Sequence, residues 1–314
     1  MHSRVRDLSG KRFGKLKVIK FAYSKKLYDK GSQRRAFFHC KCDCGGKKIV
    51  PGIFLHNKNT QSCGCIIPPK YKIDETYFEK INREDKAYFF GLLITDGTVS
   101  SNDSKFDNKR IILELDKNDK HILDTFRKYL KTKKHLGHSV RKARRYKKYK
   151  IGASDTYILN ISNVKMREDA IKLGLRPAKT KNLSMPTNKI IPHKLMNHFI
   201  RGVFDGDGTV GKYGNSRICA IDSGSILFLK QLKKYLNKLN IKNTDILVVE
   251  RPSPGLGSPT KNWRLAIHPS MKKGSRANKI TAENLKNFYK LLYKDCSKNL
   301  FFIRKKKKFI KILK

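Results

Sequence analysis

Two sets of residues in this chain have the types and spacing for metal chemistry. Cys40, Cys42, Cys44, Cys63 and Cys65 crowd into the segments CKCDCG and SCGC, whereas Cys219 and Cys296 stand alone. Closely spaced thiolates from two chain segments, with no secretion signal after Met1, suit a structural Zn²⁺ better than a disulfide framework. Four ligands complete a tetrahedron; Cys42, Cys44, Cys63 and Cys65 are the favoured set, with Cys40 a substitute or a buried spare thiol. The second set is Asp96-Gly97 and Asp207-Gly208, each closing an apolar, helix-like run (Ala87 to Thr95 and His198 to Gly206). A carboxylate at a helix C-terminus is disfavoured by the macrodipole and calls for a nearby cation.

Those two runs belong to a longer internal repeat. Each leads through Thr-Val into a β-like stretch, and ILDTFRKYL (122–130) corresponds to LFLKQLKKYL (227–236), both with apolar residues at helical spacing. Tyr129 and Tyr235 are each followed 28 residues later by an aromatic opening an alternating strand, Tyr157 and Trp263. Further helices are expected at 164–175 and 282–293. The order helix, strand, strand, helix, strand, strand, helix therefore occurs twice, predicting an α+β chain with half-domains at 75–187 and 188–314. Residues 1–70, with short β-like runs, tight glycine turns and a linker at Ile67-Pro68-Pro69-Lys70, read as a separate small zinc module.

The charge indicates the partner. With 72 Lys+Arg against 25 Asp+Glu, the formal net charge is +47, far beyond what solubility requires. A polyanion is expected, and nucleic acid fits better than membrane, because no apolar run approaches the ~18 residues of a transmembrane helix. The same features predict a cytoplasmic (bacterial or phage-infected cell) or organellar protein that is not secreted, and the lack of a splicing-type cysteine at residue 1 argues against an intein. The most basic stretch, RKARRYKKYK (141–150), interleaves cations with tyrosines; as a strand it would suit a DNA groove, and as a loop it would be merely solvated. Candidate DNA contacts are Arg141, Arg144, Arg145, Lys147 and Lys150, with Lys212, Arg217, Arg251, Lys261 and Arg264 in the second copy.

The motifs FFGLLITDG (89–97) and IRGVFDGDG (200–208), set in this repeat, resemble those of two-motif LAGLIDADG homing endonucleases over about 230 residues. The resemblance implies two tandem, pseudo-symmetric αββαββα half-domains forming a DNA-binding saddle, with the motif helices packed together between the sheets. Gly91 and Gly202 would let the helix backbones approach, Gly97 and Gly208 would end the helices at positive φ, and Asp96 and Asp207 would emerge side by side. Such a pair repels and needs a divalent ion. Mg²⁺ held by both carboxylates with the backbone carbonyls of Thr95 and Gly206 would activate water against phosphorus and stabilise the leaving 3′ oxygen. The first acid of the motif is kept as Asp205 but replaced by Ile94.

The family also implies an assisting basic residue from each half, here Lys179 or Lys181 in RPAKTKNL and Lys305 in FFIRKKKKF. The activity expected is double-strand cleavage of a long, nearly asymmetric DNA site by a monomer, leaving short 3′ overhangs. An intron RNA maturase using the same saddle is the alternative. The N-terminal segment is similar to small zinc modules of phage endonuclease-like proteins over about 55 residues, and its many cations would extend the DNA footprint.

Overall fold

The computed structural model describes residues 6–26, 33–65, 71–100, 109–146, 149–177, 182–214, 216–251, 260–272 and 279–314. The chain divides into two compact units, Met1–Pro68 and Pro69–Lys314.

In the first unit, β1 (Arg12–Phe13), β2 (Leu16–Lys26), β3 (Arg34–Cys42) and β4 (Lys47–Pro51) form one antiparallel sheet in sequence order, followed by a single turn of helix, α1 (Gly52–His56). Alternation along β2 and β3 puts Leu16, Val18, Phe38, Cys40 and Cys42 on the buried face, where Leu8, Val50 and Leu55 complete a small core. So small a core is marginal without a staple.

The second unit contains the repeat. Its first copy runs α2 (Glu84–Thr95), β5 (Gly97–Val99), β6 (Arg110–Asp116), α3 (Lys120–Tyr129), β7 (Gly137–Arg141), β8 (Arg144–Tyr146), β9 (Tyr149–Ile151), β10 (Ser154–Ser162) and α4 (Val164–Lys172). The second runs α5 (Met196–Asp207), β11 (Gly208–Tyr213), β12 (Ser216–Ser223), α6 (Ile226–Lys238), β13 (Thr244–Arg251), β14 (Thr260–Ile267), β15 (Ser270–Lys272), β16 (Lys279–Thr281) and α7 (Glu283–Tyr293); α8 (Ile303–Leu313) follows. The strand orders, β5-β6-β10-β7 and β11-β12-β14-β13, are the same arrangement twice.

The expected αββαββα pattern thus carries additions: the ribbon β8–β9 in the first copy, the ribbon β15–β16 in the second, and α8 with no helical counterpart in the described part of 173–195. The equal 28-residue spacings have a structural meaning, because Tyr157 and Trp263 both lie in the strand that pairs with the second strand of their sheet.

Helix ends are shared between the copies only in part. Asn163 caps α4 through its side chain, accepting from the Met166 N–H at 2.8 Å, and the Ser225 hydroxyl caps α6 from Phe228 at 3.4 Å, although these two helices are not equivalents in the repeat. The helices α3 and α6 end identically, with Lys131 (φ 51°) and Asn240 (φ 58°) left-handed and the next N–H, of Thr132 or Ile241, reaching back to Arg127 or Leu236. One continuous core, from Tyr77 to Ile312, spans both copies.

Candidate nuclease site and metal centre

The two motif helices cross through their glycines. A Cβ on Gly91 would stand 2.2 Å from the Phe199 carbonyl oxygen, and one on Gly202 would stand 2.1 Å from that of Tyr88. The contact is reciprocal, glycine of each helix against the carbonyl three residues before the glycine of the other, so only two glycines permit it. The glycines that follow the acids have a different reason from the one expected. Neither Gly97 nor Gly208 is left-handed, and Gly208 is extended (φ −80°, ψ 146°). They are glycine because the chain folds directly from helix into strand: a Cβ would meet the Leu93 carbonyl oxygen at 2.6 Å and that of Phe204 at 2.2 Å.

This crossing brings the C-terminal ends of α2 and α5 together. Asp96 is half-buried at the C-cap of α2, and Asp207 is the exposed last residue of α5. Thr95 turns its hydroxyl back to the Leu92 carbonyl at 2.9 Å and abuts Gly206, where a Cβ would lie 1.9 Å from Thr95 Oγ1 and 3.4 Å from Asp96 Cγ. A threonine and a glycine thus interlock between the two acids.

Lys305, on α8, reaches the same place. Its Nζ donates to the carbonyls of Phe204, Asp205, Gly206 and Gly208 at 2.5–3.1 Å, satisfying the orphan acceptors at the end of α5. Burial brings its pKa down to about 8, against the opposing pull of Asp205, Asp96 and Asp207. The lysine is therefore committed to backbone, including the Gly206 carbonyl assigned above to the metal, while its charge acts on both acids. Lys179 and Lys181 lie outside the described residues.

Behind the acids is a buried polar network that the sequence reading did not identify. Asp205 is fully buried; it accepts from Tyr88 Oη at 2.8 Å and from the Phe302 N–H, the N-cap of α8, at 2.9 Å, and burial raises its pKa to about 6. Arg201, with no exposed surface, donates to Glu84 at 2.7 Å, to His198 Nδ1 at 2.9 Å and to the carbonyls of Leu292 and Leu300. Glu84 also receives the N–H and hydroxyl of Ser297. Accepting from a guanidinium keeps His198 neutral, and burial drives its pKa down to about 4. The available signal was an ionisable residue at each of positions 198, 201 and 205 on a helix whose neighbouring positions, Phe199, Ile200, Val203 and Phe204, are apolar.

The proposed DNA contacts scatter. Arg141 is exposed and pairs with Glu114 at 3.2 Å, and Arg144 and Arg145 are exposed on β8. Lys150 lies in β9, whereas Lys147 falls outside the described residues. The basic stretch forms paired strands, not a free loop, over the residues described. Lys212 and Arg217 face each other across β11 and β12, on the same side as buried Val210 and Cys219. Arg264 makes a bidentate pair with Asp222 at 2.7 and 2.9 Å, so it is already neutralised. Arg251 and Lys261 are placed only by strand register, opposite Thr260 and Glu250.

In the first unit, Cys42, Cys44, Cys63 and Cys65 gather with all four sulfurs within 4.8 Å of one another. Cys44 and Cys63 are 3.3 Å apart and Cys42 and Cys65 are 3.5 Å apart, close to the roughly 3.8 Å edge of a tetrahedron with ~2.3 Å Zn–S bonds. Two glycine-bearing loops make this possible. Gly45 (φ 86°) turns the first, and Gly46 lies where a Cβ would be 2.9 Å from Cys63 Sγ; Gly64 (φ 111°) turns the second. Although burial opposes it, backbone N–H groups of Cys44 and Cys63 bring the Cys42 thiol down to about 6, favouring the thiolate. Cys40 is outside this group: it is in the core of the unit, donates to the Phe38 carbonyl, and has its thiol pKa raised by burial.

Comparisons with known proteins agree with this fold. Residues 194–293 match the LAGLIDADG-like domain family. Among solved structures, the homing endonuclease I-WcaI bound to its DNA recognition sequence aligns at TM-score 0.44 and 11% identity, over 75% of this chain and 91% of that one. Full-length DUF199/WhiA from Thermatoga maritima aligns at 0.38 and 14%, over 76% and 66%. The I-LtrWI LAGLIDADG homing endonuclease bound to target DNA aligns at 0.37 and 11%, over 76% and 90%. No curated protein matches. The chain thus contains a LAGLIDADG-like domain over residues 194–293, and a four-cysteine cluster consistent with a structural metal near its N-terminus. Among the described residues no helix is long and apolar enough to cross a membrane.

Proposed function

We propose that this chain is a site-specific, double-strand DNA endonuclease that acts as a monomer, with Asp96 and Asp207 holding Mg²⁺. The observation that carries the reading is the reciprocal glycine crossing, which delivers one acid from each copy to the same end of the helix pair. The donors suit a hard cation: two carboxylates at helix ends, where the dipole already disfavours negative charge, with water and phosphate oxygens left to complete the shell because Lys305 occupies the carbonyls at the end of α5. A bound Mg²⁺ would supply the positive charge that activates water and stabilises the leaving oxygen.

The protein's own groups do the positioning. Lys305 fixes the end of α5 and is mostly charged at neutral pH despite its lowered pKa of about 8, while the Thr95–Gly206 interlock sits between the acids. Two non-identical sheets in one chain suit an asymmetric site, and the large positive charge suits phosphate binding with steep salt dependence. Zinc at Cys42, Cys44, Cys63 and Cys65 would staple the first unit.

The test is digestion of a random duplex library with Mg²⁺, followed by sequencing of the ends. A single long site with 3′ overhangs is expected. Asp96→Asn or Asp207→Asn should lower double-strand cutting by roughly 100- to 1,000-fold with DNA binding retained, the size of several kcal/mol of lost charge stabilisation. No cutting together with tight binding of intron RNA would replace the endonuclease with a maturase.

A further inference from the structure

The first unit is more than a zinc-stapled fold. Strand register in its sheet places Arg12 opposite Lys17, Lys17 opposite Lys41, and Lys41 opposite Lys47, so four cations form one row across four adjacent strands. All four are exposed, on the face opposite Leu16, Val18 and Cys40. Like charges directly opposite one another destabilise a sheet, and proteins ordinarily intersperse acids to avoid this. Here Asp43 pairs with Arg12 at 2.6 Å, and among the described residues no carboxylate lies within ion-pair distance of Lys17, Lys41 or Lys47.

The rest of the face is built in the same sense. The next row holds exposed Lys20 and His39, paired in register, and beyond them exposed Tyr23 stacks on Phe37 with ring centroids 5.0 Å apart. At ~4.8 Å between strands, the cation row spans about 14 Å. Over that length one strand of duplex DNA advances about four steps of 3.4 Å along the helix axis, so the row can run beside several phosphates.

We propose that the outer face of the β1–β4 sheet is a docking surface for the sugar–phosphate backbone of duplex DNA, giving the chain a second DNA contact tethered to the one made by the paired half-domains. The row accepts a linear array of negative charge and repels a second copy of itself. Backbone contacts of this kind carry no sequence information; they raise affinity and lengthen the footprint, and tethering multiplies their effect through effective concentration. The inference takes its partner, duplex DNA, from the endonuclease reading.

The test uses full-length, zinc-loaded protein and a labelled 40-base-pair duplex, without divalent metal so that no cutting occurs. Zinc content reports that the Lys17→Gln/Lys41→Gln/Lys47→Gln variant is folded. Its plot of log affinity against log salt should lose about 2 to 3 units of slope, from ~0.9 per released phosphate contact. A control triple on α7 and its end, Lys286→Gln/Lys290→Gln/Lys294→Gln, should lose less than one. On the wild-type chain, duplex should protect Lys17, Lys41 and Lys47 from acetylation, a readout independent of whether the variant folds.

Equal slopes for the two triples, unprotected lysines, or binding of this face to an RNA hairpin or anionic vesicles in preference to duplex would overturn the proposal. Wild-type protein that cuts DNA with these lysines unprotected would sink the docking surface alone. Protein that protects them on duplex yet never cuts with Mg²⁺ would sink the endonuclease reading alone.

Discussion

The two motif helices share the crossing glycine and the Asp-Gly-Thr-Val run at their ends, and differ at the other positions between. Asp96 and Asp207 correspond, as do Gly91 and Gly202, but Ile94 stands where the other helix has Asp205, Thr95 where it has Gly206, Phe90 where it has Arg201 and Ala87 where it has His198. The first helix keeps its polar contacts to Glu84, Asp85, Lys86 and Tyr88 near its start, and its later turns pack through apolar side chains up to Thr95. The second is threaded with polar groups, each tied to α8, to 292–300 or to the first helix. Close crossing demands matched glycines, and the proposed chemistry would demand matched acids, whereas support for each helix is free to diverge. The additional C-terminal helix is what the polar groups serve, since Asp205 holds its first turn and Lys305 returns from it to α5.

This contrast can be broken in order of expected effect. Gly91→Ala and Gly202→Ala should each cost about 3 kcal/mol or more, and by similar amounts, because each places a methyl within van der Waals contact of rigid backbone. Denaturant unfolding measures both, and a tolerated alanine at one of them would break the symmetry. Lys305→Met keeps the stem and removes the ammonium, leaving buried carbonyls of α5 unsatisfied. A loss of about 2–4 kcal/mol is expected.

A pH dependence should belong to the second helix alone. The pKa of His198 is about 4 when folded, below its ordinary 6.5. Between those values the unfolded chain binds a proton that the folded chain refuses, so this contribution to stability is full above pH 6.5 and declines as pH falls towards 4. Asp205 works in the opposite sense, its pKa of about 6 adding stability as pH falls through about 6, so unfolding titrations at pH 7 and pH 5 should show a partly offset loss, and His198→Gln should remove that loss and leave the Asp205 gain. The smallest effect sharpens the contrast most: Tyr88→Phe removes one donor to Asp205, with an expected cost of about 1–2 kcal/mol that largely vanishes in an Asp205→Leu background.

Much of this was legible in the sequence because it depends on periodicity and spacing. Helix runs, strand alternation and the 28-residue intervals are local, and they carried the doubled order of elements along the chain, but not the order of strands within each sheet. The cysteines were legible for the same reason, two short segments each carrying its own glycine turn. The role of Gly97 and Gly208 was not, since a glycine after a helix looks the same whether it serves φ or crowding, and only the carbonyls of Leu93 and Phe204 decide between them. Nor was the state of Lys305, one of four consecutive lysines whose partners are a hundred residues away. The Asp222 partner of Arg264 was illegible for a related reason: in the sequence a cation on a strand looks the same whether or not a carboxylate 42 residues away lies beside it.

The hydrogen bond from Tyr88 to Asp205 joins residues 117 positions apart, one from each copy. For recombination, this makes the halves a matched pair and not interchangeable parts. A chimera that keeps 188–314 but receives a first half without that hydroxyl would inherit a buried carboxylate short of a donor, and one that keeps 75–187 would bury a tyrosine hydroxyl against whatever replaced it. Specificity could then be altered by changing strand faces within this chain more readily than by exchanging its halves with those of a relative.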